Sequence, residues 1–241
     1  MNRRGFTLIE MVIVIVIIGI ISTIALRSIQ GTIDQARFDD TVKEMNVIAR
    51  AILGDERLVS GGVRSDFGYV GDVGSLPTNL DALVTRPSGF ATWAGPYFSS
   101  DFAENSQDHL RDAWNDPYAY SGGLTIISAG GGNTITRRLA DTITDLTSNT
   151  VNGIVRDKSL APPGDSAAIV VVTIEYPDGA GSLTSSSIAP NASGEFSFAN
   201  SIPIGLHRIQ AVAGADTISK KIAVYPARIS YLELRFPSDL W

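Results

Sequence analysis

One acidic residue sits where acids are rare. Glu10 lies inside the run Phe6–Leu26, 21 residues in which only Thr7, Glu10, Gly19, Ser22 and Thr23 are not apolar. A carboxylate in such a run is costly to bury and ordinarily has a partner or a task. Other chemistry-bearing residues are sparse. Cysteine is absent, which removes disulfides, thiol catalysis and thiolate zinc sites. The two histidines, His109 and His207, fall in different predicted domains, so neither a metal pair nor a paired base is suggested. Gly130-Gly131-Gly132-Asn133 lacks the Lys-Ser/Thr of a phosphate loop. Nothing in the sequence sets a nucleophile beside a base, so no enzyme is expected. A net charge of −6 and a pI near 4.9 argue against nucleic acid as a partner, because phosphate neutralisation needs a basic face.

The elements that position Glu10 begin with a membrane segment. As a helix, Phe6–Leu26 reaches about 31 Å, close to the thickness of a bilayer's hydrocarbon core. Arg3 and Arg4 precede it, which predicts a cytoplasmic amino terminus and a chain continuing across the membrane. Two plainer readings compete: a secretory signal peptide cut near Thr23-Ile24-Ala25, or a bare anchor with an incidental Glu.

The stretch Arg3-Arg4-Gly5-Phe6-Thr7-Leu8-Ile9-Glu10 resembles the type III signal of the type IV pilin and type II secretion pseudopilin family. The resemblance implies cleavage by a prepilin peptidase between Gly5 and Phe6, N-methylation of Phe6, and an assembly role for Glu10. A cationic amine freed on Phe6 of one subunit would then compensate Glu10 of a staggered neighbour, each charge being neutralised only in the assembly.

Past Leu26 the apolar residues take helical spacing: Ile29, Ile33, then Val42, Met45, Ala49 and Ile52. No proline interrupts them, so one helix is expected over residues 6–53 with Gly54 as its stop. Many relatives kink this helix with a proline where Arg27 stands. Residues 60–75 are glycine-rich and read as a long loop pinned by Phe67 and Tyr69. Next come Leu76-Pro77-Thr78, Ala82-Leu83-Val84-Thr85-Arg86-Pro87, Trp93-Ala94-Gly95-Pro96-Tyr97 and Asp112-Ala113-Trp114-Asn115-Asp116-Pro117-Tyr118-Ala119-Tyr120. These blocks resemble the head of the major pseudopilin. Trp93, Tyr97, Trp114, Tyr118 and Tyr120 are expected to cover one face of a small sheet. The resemblance also brings in calcium, for which Asp141 and Asp145 are the candidate ligands, an incomplete set read as exposed strand or turn residues. No other cofactor is expected.

From about residue 150 short strands and turns take over. Ala168–Tyr176 is a continuous apolar strand, and Leu232, Leu234 and Phe236 share a face opposite Tyr231, Glu233 and Arg235. Val151–Asp157, Gly194–Phe198 and Ile202–Ile209 resemble carboxypeptidase-regulatory-like, transthyretin-like modules, which are non-catalytic; His207 is read there as a half-buried packing residue. The expected class is α+β: a leader over 1–5, a pilin-like part over 6–148 with a long helix on a small antiparallel sheet, and a β-sandwich over 149–241.

The combined resemblance implies an inner-membrane, single-pass structural subunit, with its head in the periplasm or outside the cell. It would build a homo-oligomeric or mixed filament through a prepilin peptidase/methylase and an inner-membrane assembly platform, as a pseudopilus for protein export. The alternatives are a type IV minor pilin of a surface fibre for adhesion or motility, and a membrane-anchored binding module that forms no polymer.

Overall fold

The structure, a computed structural model, describes residues 7–98 and 108–241, without the side chains of residues 25–28 and 108. Gly5, Phe6, Arg3 and Arg4, and the side chain of Arg27, therefore lie outside the described residues.

Helix α1 runs Leu8–Leu53, 46 residues, or about 69 Å. Gly19 and Gly31 interrupt it at neither place. Its first half is bare: the most hydropathic window is wholly unburied, and the helix is long and apolar enough to cross a membrane. Thr23 returns its hydroxyl to Gly19 O at 2.8 Å, so the span carries one polar group already satisfied by its own backbone. Burial begins at Thr41 and continues through Met45, Ile48, Ala49 and Ile52. Steps of three and four put these on one stripe against the head. Ile29 and Ile33 stay exposed, so residues 29–40 project between the apolar span and the head.

Gly54 ends the helix at φ +83°, where a Cβ would sit 2.4 Å from Asp66 O. Only glycine allows that approach. Residues 60–75, expected as a loop, instead hold the hairpin β1 (Val59–Ser60)–β2 (Val63–Arg64) and helix α2 (Gly68–Val73). Tyr69, Val70 and Val73 are buried, and their helical spacing outweighs the local glycines. Arg64 is 7% exposed and locks this corner. Its guanidinium donates to Leu53 O and Asp66 O and lies 4.5 Å above the Phe67 ring, giving the last turn of α1 a donor for an otherwise orphaned carbonyl.

A short 3-10 helix, Leu80–Leu83, is capped by Asn79, whose side chain accepts from Ala82 N at 3.1 Å. Among the described residues the sheet that follows the aromatic turns has two strands, β3 (Thr125–Ser128) and β4 (Ile135–Arg138). It is too small for the five rings expected on it, and they are distributed instead. Trp93 and Tyr97 meet edge to face at 5.7 Å, and Tyr97 donates to Asp72 of α2. Tyr118 donates to Glu44 of α1, Tyr120 to Pro77 O, and Trp114 lies against Gly131. Tyr118 and Tyr120 flank Ala119, which pairs antiparallel with Ile127 of β3, while Trp93, Tyr97 and Trp114 lie away from the two strands.

Helix α3 (Ile143–Thr147) leads into a two-sheet structure. Its strands are β5 (Asn149–Arg156), β6 (Val170–Pro177), β7 (Leu183–Ile188), β8 (Glu195–Ile202), β9 (Gly205–Ala213), β10 (Asp216–Val224) and β11 (Ile229–Arg235). One sheet is ordered β10-β9-β6-β7, all antiparallel. The other is β11-β5-β8, in which β11 runs parallel to β5. Alternate residues from both sheets, among them Val151, Val172, Ile174, Phe198, Ile209 and Leu234, close a common core. Ala168 falls in a 3-10 turn before β6 rather than in the strand.

The sandwich does not hang from the head on a linker. Ile204 and Ala223 belong to the head's core, with Tyr225 packed against it. Gly179 N donates to Val73 O, Thr92 N to Gly181 O and Ile204 N to Leu146 O, so backbone bonds cross the seam at three separate places.

His207, expected half-buried, is 3% exposed in β9. Its Nε2 lies 2.8 Å from Pro203 O and therefore carries the proton, and the Tyr176 ring meets it edge-on. Burial pushes its pKa below the ordinary 6.5, partly offset by that carbonyl. The unfolded chain thus binds a proton that the folded chain refuses. Stability should fall as pH drops below about 6.5, by up to about 1.4 kcal/mol per pH unit until the folded pKa is reached. Denaturant midpoints measured at pH 7.5 and 5.5 check this: the wild-type loss should exceed that of His207→Gln, and equal losses refute it.

Candidate assembly site

The sequence of the first helical turn builds the site around Glu10. Thr7 takes extended backbone (φ −80°, ψ 153°) and becomes the N-cap of α1. Glu10, three residues on, folds back. Its Oε2 accepts from Thr7 N at 2.8 Å and from Thr7 Oγ1 at 2.8 Å, while Glu10 N reaches Thr7 Oγ1 at 3.4 Å. This is a capping box, which supplies partners to donors that a helix start leaves orphaned. Reading Thr7 as merely a polar interruption of the span overlooks its signal, the Thr-x-x-Glu spacing of Thr7-Leu8-Ile9-Glu10.

Within the chain Glu10 has hydrogen-bond donors, and neither of them carries a charge. One carboxylate oxygen, Oε2, is already occupied within the chain; Oε1 takes no partner among the described residues. The side chain is exposed, on a helix exposed all round. The site therefore consists of a preoriented carboxylate with one free oxygen, at the amino-terminal end of an uncovered apolar rod.

The other sequence-derived candidates are not drawn together. Asp145 is the N3 residue of α3 and spends Oδ2 on Thr142 N at 2.8 Å. It is a helix cap and not the exposed strand or turn residue expected. Asp141 is exposed, with Arg138 Nη2 3.7 Å from its Oδ1 and donating to its carbonyl. Among the described residues no group of three or more Asp, Glu, His or Cys is placed to hold a metal. Calcium needs six to eight oxygens; one carboxylate committed to a helix start and one beside a guanidinium do not fit it. His109 sits in the head beside Phe98, with Nε2 3.9 Å from Asp81 Oδ1, and His207 lies in the sandwich strand β9, so the two imidazoles are not brought together.

Asp112, which opens the Trp114 turn, has a structural role that its sequence block does not disclose. Asp112 is 5% exposed, and its carboxylate accepts from Trp114 N and Asp116 N at 2.9 Å each and from Ser128 Oγ at 2.5 Å. It clamps the Trp114 turn to β3, and Ala113 N from the same turn reaches Thr41 Oγ1 of α1.

Comparison with known proteins matches the same two regions. Residues 1–26 match the model of the prokaryotic N-terminal methylation motif. Residues 68–141, which carry α2, the aromatic turns and the β3–β4 hairpin, match the model of type II secretion system protein G. A curated relative, the type II secretion system core protein G of Xanthomonas campestris pv. campestris, is 31% identical over 96 residues. The chain is similar to the pseudopilin family at its amino terminus and in its head. That alignment covers 40% of this chain and 57% of the relative, so the chain spans little more than half the length of the protein it matches. The two family-model matches end at residue 141, before the first strand of the sandwich.

Proposed function

We propose that this chain is a structural subunit of a type II secretion-like pseudopilus. It is made as a precursor with its amino terminus in the cytoplasm, held by Arg3 and Arg4, and with its head across the membrane. A prepilin peptidase cuts between Gly5 and Phe6, Phe6 is methylated, and an inner-membrane platform inserts the subunit into the growing rod. The observation that carries this reading is Glu10: a carboxylate with one oxygen free, on an apolar helix whose span finds no cover within its own chain. Packing against sister helices covers the rod, and the amine freed on a neighbour's Phe6 answers the open oxygen. The chain performs no catalysis in this scheme; Gly5 and Phe6 are substrate positions for another enzyme. The sandwich, with the sequence likeness to carboxypeptidase-regulatory-like modules, faces outward as an interaction module of a specialised subunit.

Mass spectrometry of the chain purified from its native membrane tests the processing step. The mature protein should begin at Phe6 and carry one added methyl group. A chain still beginning at Met1, or one beginning after Ala25, overturns the proposal. Deletion should then abolish release of exported proteins; loss of long surface fibres with secretion intact would assign the same rod to a type IV pilus.

A further inference from the structure

The outer face of the three-stranded sheet has an unusual composition. On β11, Ile229 and Tyr231 are 67% and 66% exposed. They lie two residues apart, so both point from the same side of the sheet about 7 Å apart. Burying an aromatic ring is the ordinary outcome in a folded chain. The other ring among the exposed large hydrophobics, Phe38 at 40%, belongs to the α1 rod. Register places Thr150 beside Ile229 and Asn152 beside Tyr231, with Ser197 beyond Asn152 on β8. The ridge of two apolar side chains thus borders a floor of hydroxyls and amides.

That floor is ordered from within. Ser197 Oγ donates to Asn152 Oδ1 at 2.8 Å, and Thr150 Oγ1 donates to Asn200 Oδ1 while accepting from Asn200 N. These bonds use the amide oxygens and leave Nδ2 of Asn152 and of Asn200 as outward donors. At the Ile229 end the face opens into a cavity of about 410 Å³ at the seam with α3. It is lined by Asp145, Ser148, Asn149, Thr150, Asn200 and Arg228, together with Ile229 itself. Arg228 is exposed and makes no ion pair there. The backbone bends into the left-handed region at both rims, at Asn200 (φ +50°) and Ala227 (φ +53°), a conformation non-glycine residues seldom hold without a local reason. Asn149, 4% exposed, supports the second bend by accepting from Ala227 N at 3.0 Å.

The opposite sheet offers a contrast. On its outer face Glu175 and Arg208 answer each other through two bonds of 2.8 and 3.0 Å, with no exposed ring beside them. The exposed apolar residues on that face, Val171, Leu183 and Leu206, are all aliphatic.

We propose that the outer face of the β11-β5-β8 sheet, with the adjoining cavity, binds a saccharide chain. A pyranose presents an apolar C–H face, slightly positive and matched to the negative face of the Tyr231 ring, and a rim of hydroxyls matched to fixed amides, hydroxyls and a carboxylate. A polypeptide docking by apolar anchors would require a greasy pocket, whereas all the residues lining this cavity except Ala227 and Ile229 carry polar or charged side chains. The inference needs only the folded sandwich and stands whether or not the chain polymerises.

The test uses the full chain, purified in lauryldimethylamine oxide so that no sugar-based detergent competes, on an array of plant, fungal and bacterial oligosaccharides. Binding to at least one class is expected, and Tyr231→Ala or Asn152→Ala should weaken it at least about tenfold with an unchanged melting temperature. Tyr231→Phe should keep most of the binding, and Lys221→Ala, on the other sheet's outer face, should keep all of it. An array that stays blank, binding indifferent to Tyr231→Ala and Asn152→Ala, or capture of a polypeptide by this face with no glycan retained would each overturn the proposal.

Discussion

Replacing Glu10 with Gln should stop filament assembly while leaving the chain normally inserted, cleaved and capped. The structure is what makes this substitution informative. Glutamine keeps a carbonyl oxygen where Glu10 Oε2 accepts from Thr7, and Thr-x-x-Gln serves as a capping box as well as Thr-x-x-Glu. The helix start therefore survives, and only the negative charge is lost. If that charge is there to meet a neighbour's Phe6 amine, assembled material should fall about 100-fold or more, since an amine left in the rod without its counter-ion is costly. Glu10→Ala removes both functions, so it should assemble no better and should also fray the first turn. Sheared or cross-linked filament, compared with total membrane-inserted chain by immunoblot, reads the outcome. Wild-type assembly from Glu10→Gln would show that capping was the residue's whole task, and the intersubunit pair would have to be abandoned.

Asp112→Ala should be the most damaging single change in the head. Three donors converge on that buried carboxylate: two backbone N–H groups of its own turn and the Ser128 hydroxyl. Truncation strands all of them where water does not replace the carboxylate. Each bond to a charged acceptor contributes about 1.5–3 kcal/mol, and orphaned donors add a desolvation cost. The losses overlap, so about 3–5 kcal/mol is expected, or roughly 8–15 °C in Tm for a chain of this size. Asp112→Asn should lose far less. Its Oδ1 still takes the two N–H groups, and the Ser128 hydroxyl turns to accept from the new amide. Thermal melts followed by Trp fluorescence, which reports on Trp114 in that turn, check both variants in detergent. An Asp112→Ala protein within about 1 kcal/mol of wild type would mean that the turn is held by its aromatics alone.

These two residues also mark how far the sequence is legible. Glu10 stands out because the signal is local: an acid inside an apolar run is visible without knowing the fold, and its cap lies three residues away. The length of α1 is legible for the same reason, since nothing between Leu8 and Leu53 breaks a helix. Asp112 lies in a quoted block, yet its main partner, Ser128, is 16 residues on, and no spacing rule links them. Arg64 reads as an ordinary loop cation; only the fold shows that it is buried on Phe67 and closes the end of α1. Helix α2 is hidden because its two internal glycines speak against a helix more loudly than Tyr69, Val70 and Val73 speak for one. In the sandwich, two-residue alternation tells which side of each strand is buried. It does not tell that Ile204 and Ala223 are buried against the head's core and not within the sandwich's own.

That sharing has a consequence for how the polypeptide can be divided. Severing it just ahead of Asn149 would yield a head with gaps where Ile204, Ala223 and Tyr225 belonged, and a sandwich with greasy residues turned toward water. Neither half would be a finished object. The sandwich and the foot of the rod are thereby seated in one core, Ile204 and Ala223 beside Met45, Ile48 and Ile52.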